Sequence, residues 1–463
     1  MKDYNKNDTI ASLSTPEGRG AIAIVRVSGE NSFEIVKRFF DFKLKVDKIE
    51  SRKVYLGYWT DNEGLVDEVQ VIFFKGKNTF TGEDLVEIYS HGGYAIPALI
   101  LESILSGGAR QSLPGEMTYR AYLNGKIDLV KSQAINDIIN SKTSYSARFL
   151  ARNLKGSFSD FITEMRRKIL NLSASVEVQI DYPDEEFEER EISEIATSME
   201  SILNELEKVI DKSEMGMIIK RGVPVVIAGK PNVGKSTIMN RLLKQDRAIV
   251  TDVPGTTRDF IEEELNIKGV YVKLTDTAGL RGTDDVVEKI GIEKTLDKIQ
   301  NSNLVVYIID IERGIDEYDI NILTNLGDKR VVLVLNKADK TTQKKVDKLR
   351  TDLLEIHNYD SIVVTSALSE KGVYDLENAI YEVLSILVKV DEDTYITNDL
   401  QKNYIKKVYS RIKNSFKALE EGITVDVIAQ DLRECVELFD SLTGRSYDED
   451  LSDTIFSNFC VGK

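Results

Sequence analysis

At 463 residues the chain is long enough for about three domains, each able to bury its own core. Its formal charge of -16 argues against a general affinity for phosphate backbones, because such binding rests on Lys and Arg displacing counterions; a local basic patch is still allowed. Two cysteines (Cys435 and Cys460) and two histidines exclude a disulfide framework and a His/Cys metal cluster, no signal-peptide-like start precedes MKDYNKNDTIASL, and no run approaches the roughly 20 apolar residues of a membrane helix, so a cytoplasmic protein is expected.

Residues 1–120 carry short β-rich runs, GAIAIVRVSG, EVQVIFF and DLVEIYS, with Gly-containing turns between them, and predict an α+β domain. From MTYRAYLNGK the apolar spacing turns helical and predicts the first part of a helical domain over 121–221. Within it DYPDEEFEEREISE (181–194) gathers acidic residues and reads as a solvated loop and helix start. From Gly222 five apolar strands alternate with helical stretches: VPVVIAG, VYVKLTD, LVVYIID, RVVLVLN and SIVVTSA. That alternation means a parallel sheet with crossovers, here over 222–382. Helices resume over 383–463, so an α/β domain inserted into a split helical domain is the economical arrangement. The expected fold class is multidomain α/β plus α, with an N-terminal α+β domain and a doubly wound insert.

The insert carries a nucleotide signature. G-x-x-x-x-G-K-[ST] runs from Gly229 to Ser236, between an apolar strand and a helix, which is the context the motif needs. Its backbone from Asn232 through Val233 and Gly234 to Thr237 can close around phosphates. Lys235 can neutralise them, and Ser236 can offer a hydroxyl to Mg2+. LTDTAGL places Asp276, Thr277, Ala278 and Gly279 at the end of a second strand, for Mg2+ and the γ-phosphate. LVLNKAD places Asn336, Lys337 and Asp339 at the end of another; a carboxylate there accepts two hydrogen bonds from guanine that adenine cannot supply, so GTP is selected over ATP. Ser366 and Ala367 suit a loop against the base. TDVPGTTRD, with Thr251, Asp252, Val253, Pro254, Gly255, Thr256 and Thr257, lies where a mobile switch is expected, Thr257 being a second Mg2+ hydroxyl. Arg258 is either an arginine finger in cis or a surface ion pair. Leu280 stands where Ras-like proteins keep a water-orienting glutamine, which leaves Asp284, Asp285 and Glu288 as candidates for that task.

GKPNVGKS, IVTDVPGTTRD and DTAGLRGTDDVVEKIGIEK, together with TPEGRGAIAIVRVSG, FTGEDLVEIYSHGG, LPGEMTYRAYLNGKIDL and the terminal FCVGK, resemble the MnmE (TrmE) family of tRNA modification GTPases from end to end. The resemblance implies a Ras-like P-loop GTPase domain and a folate-binding, dimerising N-terminal domain. It implies K+ held by Asn232, Thr251, Val253 and Thr256, doing the electrostatic work of an arginine finger. Glu288 would orient the attacking water. Arg26, Glu87, Lys126 and Lys463 would hold a 5-formyl-tetrahydrofolate-like cofactor, and Cys460 would be the cysteine of the C-terminal motif. The implied reaction, run with the FAD-bearing flavoprotein MnmG (GidA), modifies C5 of the wobble uridine of certain tRNAs to aminomethyl or carboxymethylaminomethyl uridine.

Other readings compete at particular residues. A ribosome-assembly switch would share the GTPase motifs but carry an RRM, KH or OB module, and no such signature is present. Cys460, fourth from the last residue, invites a lipidation box, yet Gly462 and Lys463 fill its final two places. Lys402, Lys406, Lys407, Arg411, Lys413 and Lys417 are either a tRNA-facing cluster or a solvated helix face. His91 is expected either at a ligand or as a turn residue satisfied by backbone.

Overall fold

Residue alternation decides the N-terminal sheet. In the strand Gly18–Ser28, Ala23, Val25 and Val27 are buried, while Ile22, Ile24 and Arg26 occupy the opposite face. The computed structural model describes residues 8–181, 189–245, 262–276, 295–389, 395–421, 425–446, 452, 455–457, 459, 460 and 462. Two compact units form: Met1–Asn136, Ile162–Ala174 and Ala429–Lys463 make one, Asp137–Phe161 and Ser175–Ile428 the other.

The first unit is built on seven strands, β1 (Ile10–Leu13), β2 (Gly18–Ser28), β3 (Phe40–Phe42), β4 (Val54–Asp61), β5 (Gly64–Phe74), β6 (Leu85–Gly93) and β7 (Arg110–Gln111), in the order β3-β4-β5-β6-β2-β1-β7. One face is sealed by helix Ala95–Ser106 and by aromatic packing, with Trp59 stacked on Phe39 and Phe73 against Phe33. The other face keeps Ile22, Val54, Leu56 and Tyr58 exposed. Beyond the sheet, helix Glu116–Leu123 contributes Arg120, which is fully buried. Its guanidinium donates to Asp8, Glu83 and Glu116, and Arg110 donates to Asp8 and Glu116, so the charges are paired rather than stranded.

The second unit holds a six-stranded sheet: β8 (Val223–Ala228), β9 (Glu262–Ile267), β10 (Val270–Asp276), β11 (Leu304–Asp310), β12 (Arg330–Asn336) and β13 (Ser361–Val364), ordered β13-β12-β11-β8-β10-β9. The five strands read from sequence are all present and all mutually parallel. β9 is an addition: Leu265 and Ile267 are buried while polar Glu264 and Asn266 alternate with them, and it pairs antiparallel with β10 at the sheet edge. β11 and β12 are buried nearly end to end, as central strands covered on both faces must be. Helix Lys235–Gln245 follows β8, and helix Val373–Leu387 covers the same side. Helix Asp399–Glu420 packs on helix Glu189–Asp211 through Ile405, Val408 and Ile412, which recur at helical spacing. This leaves Lys406, Lys407, Lys413 and Lys417 on the exposed side. Residues 182–188 of the acidic stretch lie outside the described residues, and the helix after them begins at Glu189.

Candidate functional site

Parallel strands bring their carboxyl ends to one edge, and four of the five here end in a motif residue or loop. β8 runs into the Gly229–Ser236 loop. Gly229 (φ 137°) and Gly234 (φ 105°) adopt backbone that side chains resist. A Cβ on Gly229 would stand 2.3 Å from the Ile308 carbonyl, and one on Gly234 would stand 2.3 Å from Asn336 Nδ2. Both glycines are therefore required by close approach as well as by φ. Asn232, between them, also takes the left-handed region, at φ 64°, and is exposed.

Lys235 is buried, its ammonium donating to the carbonyls of Gly229 and Lys230 at 2.7 Å each. The loop thus has a cation folded over it that can exchange those carbonyls for phosphate oxygens. Ser236 and Thr237 are exposed in the first turn of the following helix. Such a set fits a phosphate chain with its Mg2+, since one loop carries backbone amides, an ammonium and an exposed hydroxyl.

Asn336, at the end of β12, joins the loops. Its Nδ2 donates to the Val233 carbonyl at 2.8 Å, and its Oδ1 accepts from the Ala367 amide and the Thr365 hydroxyl, each at 3.1 Å. Lys337 (φ 66°) donates to the Asn232 carbonyl at 2.9 Å and to Asp310 at 2.6 Å. Ser366 Oγ donates to Asp339 Oδ1 at 2.5 Å, which holds the exposed Asp339 carboxyl below its ordinary range and so keeps it ionised. Ser366, Ala367, Asn336, Lys337 and Asp339 are thereby brought together with Asn232 and Val233. Asp276 ends β10, beside Ile227 of β8.

Residues that sequence reasoning missed support this edge. Asp310 ends β11 and is paired with Lys337. Lys230 pairs with Asp316 at 2.5 Å and Asp319 at 2.6 Å, and Asp319 also accepts from the Tyr307 hydroxyl. Arg241 donates to the Ala367 and Leu368 carbonyls, bracing the loop that carries Ser366. The only sequence signal for Asp310 was an acid closing an apolar strand. Thr251, Asp252, Val253, Pro254, Gly255, Thr256, Thr257 and Arg258 lie outside the described residues, as do Thr277, Ala278, Gly279, Leu280, Asp284, Asp285 and Glu288.

In the first unit, Arg26 and Glu87 are register partners on β2 and β6, with Nε donating to Oε1 at 2.8 Å. Tyr89 donates to the other oxygen of Glu87 at 2.7 Å, and burial together with that bond pushes its phenol up to about 12. The Arg26 guanidinium lies 5.6 Å from the Phe80 ring centre. Lys126 comes from a different element, the turn after helix Glu116–Leu123, with its side chain exposed. Lys463 lies outside the described residues.

The terminal segment is docked. Gly115 N–H donates to the Cys460 carbonyl at 3.3 Å, and Ser14 Oγ donates to the Gly462 carbonyl at 3.2 Å. A Cβ on Gly462 would stand 2.3 Å from the Leu13 carbonyl. Leu13 pairs with Val25 and Ser12 with Arg26, so the tail rests against the strand adjoining Arg26. Cys460 is a free, exposed thiol there. Phe456 anchors the segment, buried edge-on against Tyr119 at 5.0 Å. His91 departs from the turn expectation. It sits within β6, and its Nδ1 bonds the Asp67 carboxylate at 2.7 Å rather than backbone, which raises its pKa. Among the described residues no group of His, Cys, Asp and Glu suited to a metal ion forms, and no helix is long and apolar enough to cross a membrane.

Two family models match the chain, the GTP-binding protein TrmE N-terminus over residues 9–126 and the MnmE helical domain over residues 129–460. The tRNA modification GTPase MnmE of Thermotoga petrophila is 43% identical, over 98% of this chain and 100% of its own length. The same-named proteins of Petrotoga mobilis and Clostridioides difficile are 42% and 39% identical, each over 99% of this chain.

Proposed function

The chain belongs to the MnmE family of tRNA modification GTPases, and we propose that it is a K+-activated GTPase acting with the flavoprotein MnmG on tRNA. In this reading it modifies C5 of the wobble uridine of certain tRNAs to aminomethyl or carboxymethylaminomethyl uridine, using a tetrahydrofolate one-carbon unit. It works in the cytoplasm as a homodimer, in a heterotetramer with MnmG.

The observation that carries the GTPase half is the Asn336 side chain, which ties the phosphate loop at Val233 to the base loop at Ala367. Lys235 then meets the β and γ phosphates, Ser236 and Thr257 meet Mg2+, and ionised Asp339 reads the guanine edge. Asn232, Thr251, Val253 and Thr256 hold K+. When bound, these cations supply positive charge where the transferring phosphoryl group builds up negative charge. Glu288 orients the water that Leu280 cannot. Thr251, Val253, Thr256, Thr257 and Glu288 rest on the family resemblance.

The modification half is supported by the first unit. Arg26 and Glu87 offer a partly covered cation paired with a nearly buried anion, suited to the charged tail and the amide-rich ring of a folate. The tail docked at Leu13 and Ser14 sets Gly462 against the strand that adjoins Arg26, with exposed Cys460 two residues before it. GTP binding and hydrolysis would control this chemistry through conformation.

The test is a reconstitution with the full chain, MnmG, GTP, a reduced folate and unmodified tRNA, read by nucleoside mass spectrometry. The wild type should add the C5 substituent, and Cys460→Ser should hydrolyse GTP at nearly the wild-type rate without modifying tRNA. Modification by Cys460→Ser at the wild-type level would remove the cysteine from the chemistry.

A further inference from the structure

We propose that Asp310 is a positioning residue for guanine-nucleotide binding, acting through Lys337, whose ammonium it holds against the main chain of Asn232. β11 lies between β8, which leads into the phosphate loop, and β12, which leads into Asn336 and Lys337. It carries no nucleotide motif of its own. What its carboxyl end contributes is Asp310, opposite Asn336 in register, with a side chain only 1% exposed.

A carboxylate that deep needs partners, and it has them. Oδ2 accepts from Lys337 Nζ at 2.6 Å and Oδ1 from the Glu312 amide at 3.0 Å, with Arg313 farther off at 3.8 Å. Burial alone would push the Asp310 carboxyl up, but these bonds and charges bring it below its ordinary value, so it is anionic at neutral pH. Lysine is otherwise a flexible point charge on a four-carbon stem, and ordering it costs rotamer entropy. With Nζ fixed by Asp310 and by the Asn232 carbonyl, the stem of Lys337 is set before a base arrives. The same strand end also shapes the loop directly, because Ile308 offers the carbonyl that Gly229 approaches. Asp310 is thus arranged to act on the nucleotide without touching it.

This inference rests on reading the site as a guanine-nucleotide site, and the two can fail separately. Fluorescent GDP is titrated onto the full chain as wild type, Asp310→Asn, Lys337→Met and the double variant. Thermal unfolding without nucleotide is followed in parallel. Asp310→Asn should raise the Kd about tenfold, the scale of one charge-assisted hydrogen bond. The double variant should bind no more weakly than Lys337→Met alone, since Asp310 then has nothing to act through. Asp310→Glu, which keeps the charge, should recover part of the affinity, and it replaces Asp310→Asn in the cycle if the asparagine variant fails to fold. An unchanged Kd in Asp310→Asn, or losses that simply add in the double variant, would overturn the positioning role. A wild type that binds no GDP would overturn the nucleotide reading instead.

Discussion

Asn336 Nδ2 donates to the carbonyl of Val233 at 2.8 Å, so one buried side chain belongs both to the base-reading segment and to the phosphate loop. The same amide accepts from the Ala367 N–H and the Thr365 hydroxyl. Asn336→Ala leaves those buried groups unsatisfied at about 1–3 kcal/mol each. GDP affinity measured by calorimetry should fall by roughly 10- to 100-fold. A loss of stability with full affinity retained would mean that the amide only packs.

Arg120 predicts a stability effect confined to the first unit. It is fully buried and pairs with Asp8, Glu83 and Glu116, so Arg120→Ala takes a buried cation from all three and leaves Asp8 and the fully buried Glu116 with Arg110 as their cation. Breaking a buried pair from one side costs about 3–5 kcal/mol. Denaturant unfolding should therefore show an early transition, while GDP binding, which belongs to the other unit, persists. Coincident loss of both would contradict the separation.

Acid should act through Asp8. Burial pushes its carboxyl up, but hydrogen bonds and charge from Arg110 and Arg120 outweigh burial and leave it below the ordinary 3.8. The unfolded chain therefore takes up that proton at a higher pH than the folded one. The stability it contributes is complete above the unfolded value and is lost as pH falls through the folded value. Between about pH 5 and pH 3 the wild type should lose more unfolding free energy than Asp8→Asn. Parallel curves would show that Asp8 does not titrate against folding.

Potassium is tested at Asn232. GTP hydrolysis should run about tenfold or more faster in K+ than in Na+, the scale of one electrostatic stabiliser at a developing charge. Asn232→Ala should abolish the difference. Equal wild-type rates in the two salts would remove K+ from the account.

Local patterns made much of the fold and the nucleotide edge legible. Gly229 to Ser236 sits in eight consecutive residues between a strand and a helix, and β8, β10, β11, β12 and β13 announced themselves by apolar runs. What escaped depends on pairing across the chain. Asp310 meets Lys337 and His91 meets Asp67 only because neighbouring strands set a register that spacing does not encode. β9 escaped because an edge strand needs only every second residue apolar, and its Glu263 and Glu264 resemble a loop. The docking of Gly462 at Leu13 and Ser14 joins opposite ends of the sequence, and only the folded unit displays it.

The most direct test of the central claim is mass spectrometry of wobble uridines in tRNA from cells lacking this protein. The account predicts loss of the C5 aminomethyl or carboxymethylaminomethyl substituent, restored by the wild-type chain and not by Cys460→Ser. Unchanged wobble uridines in the deleted cells would contradict it.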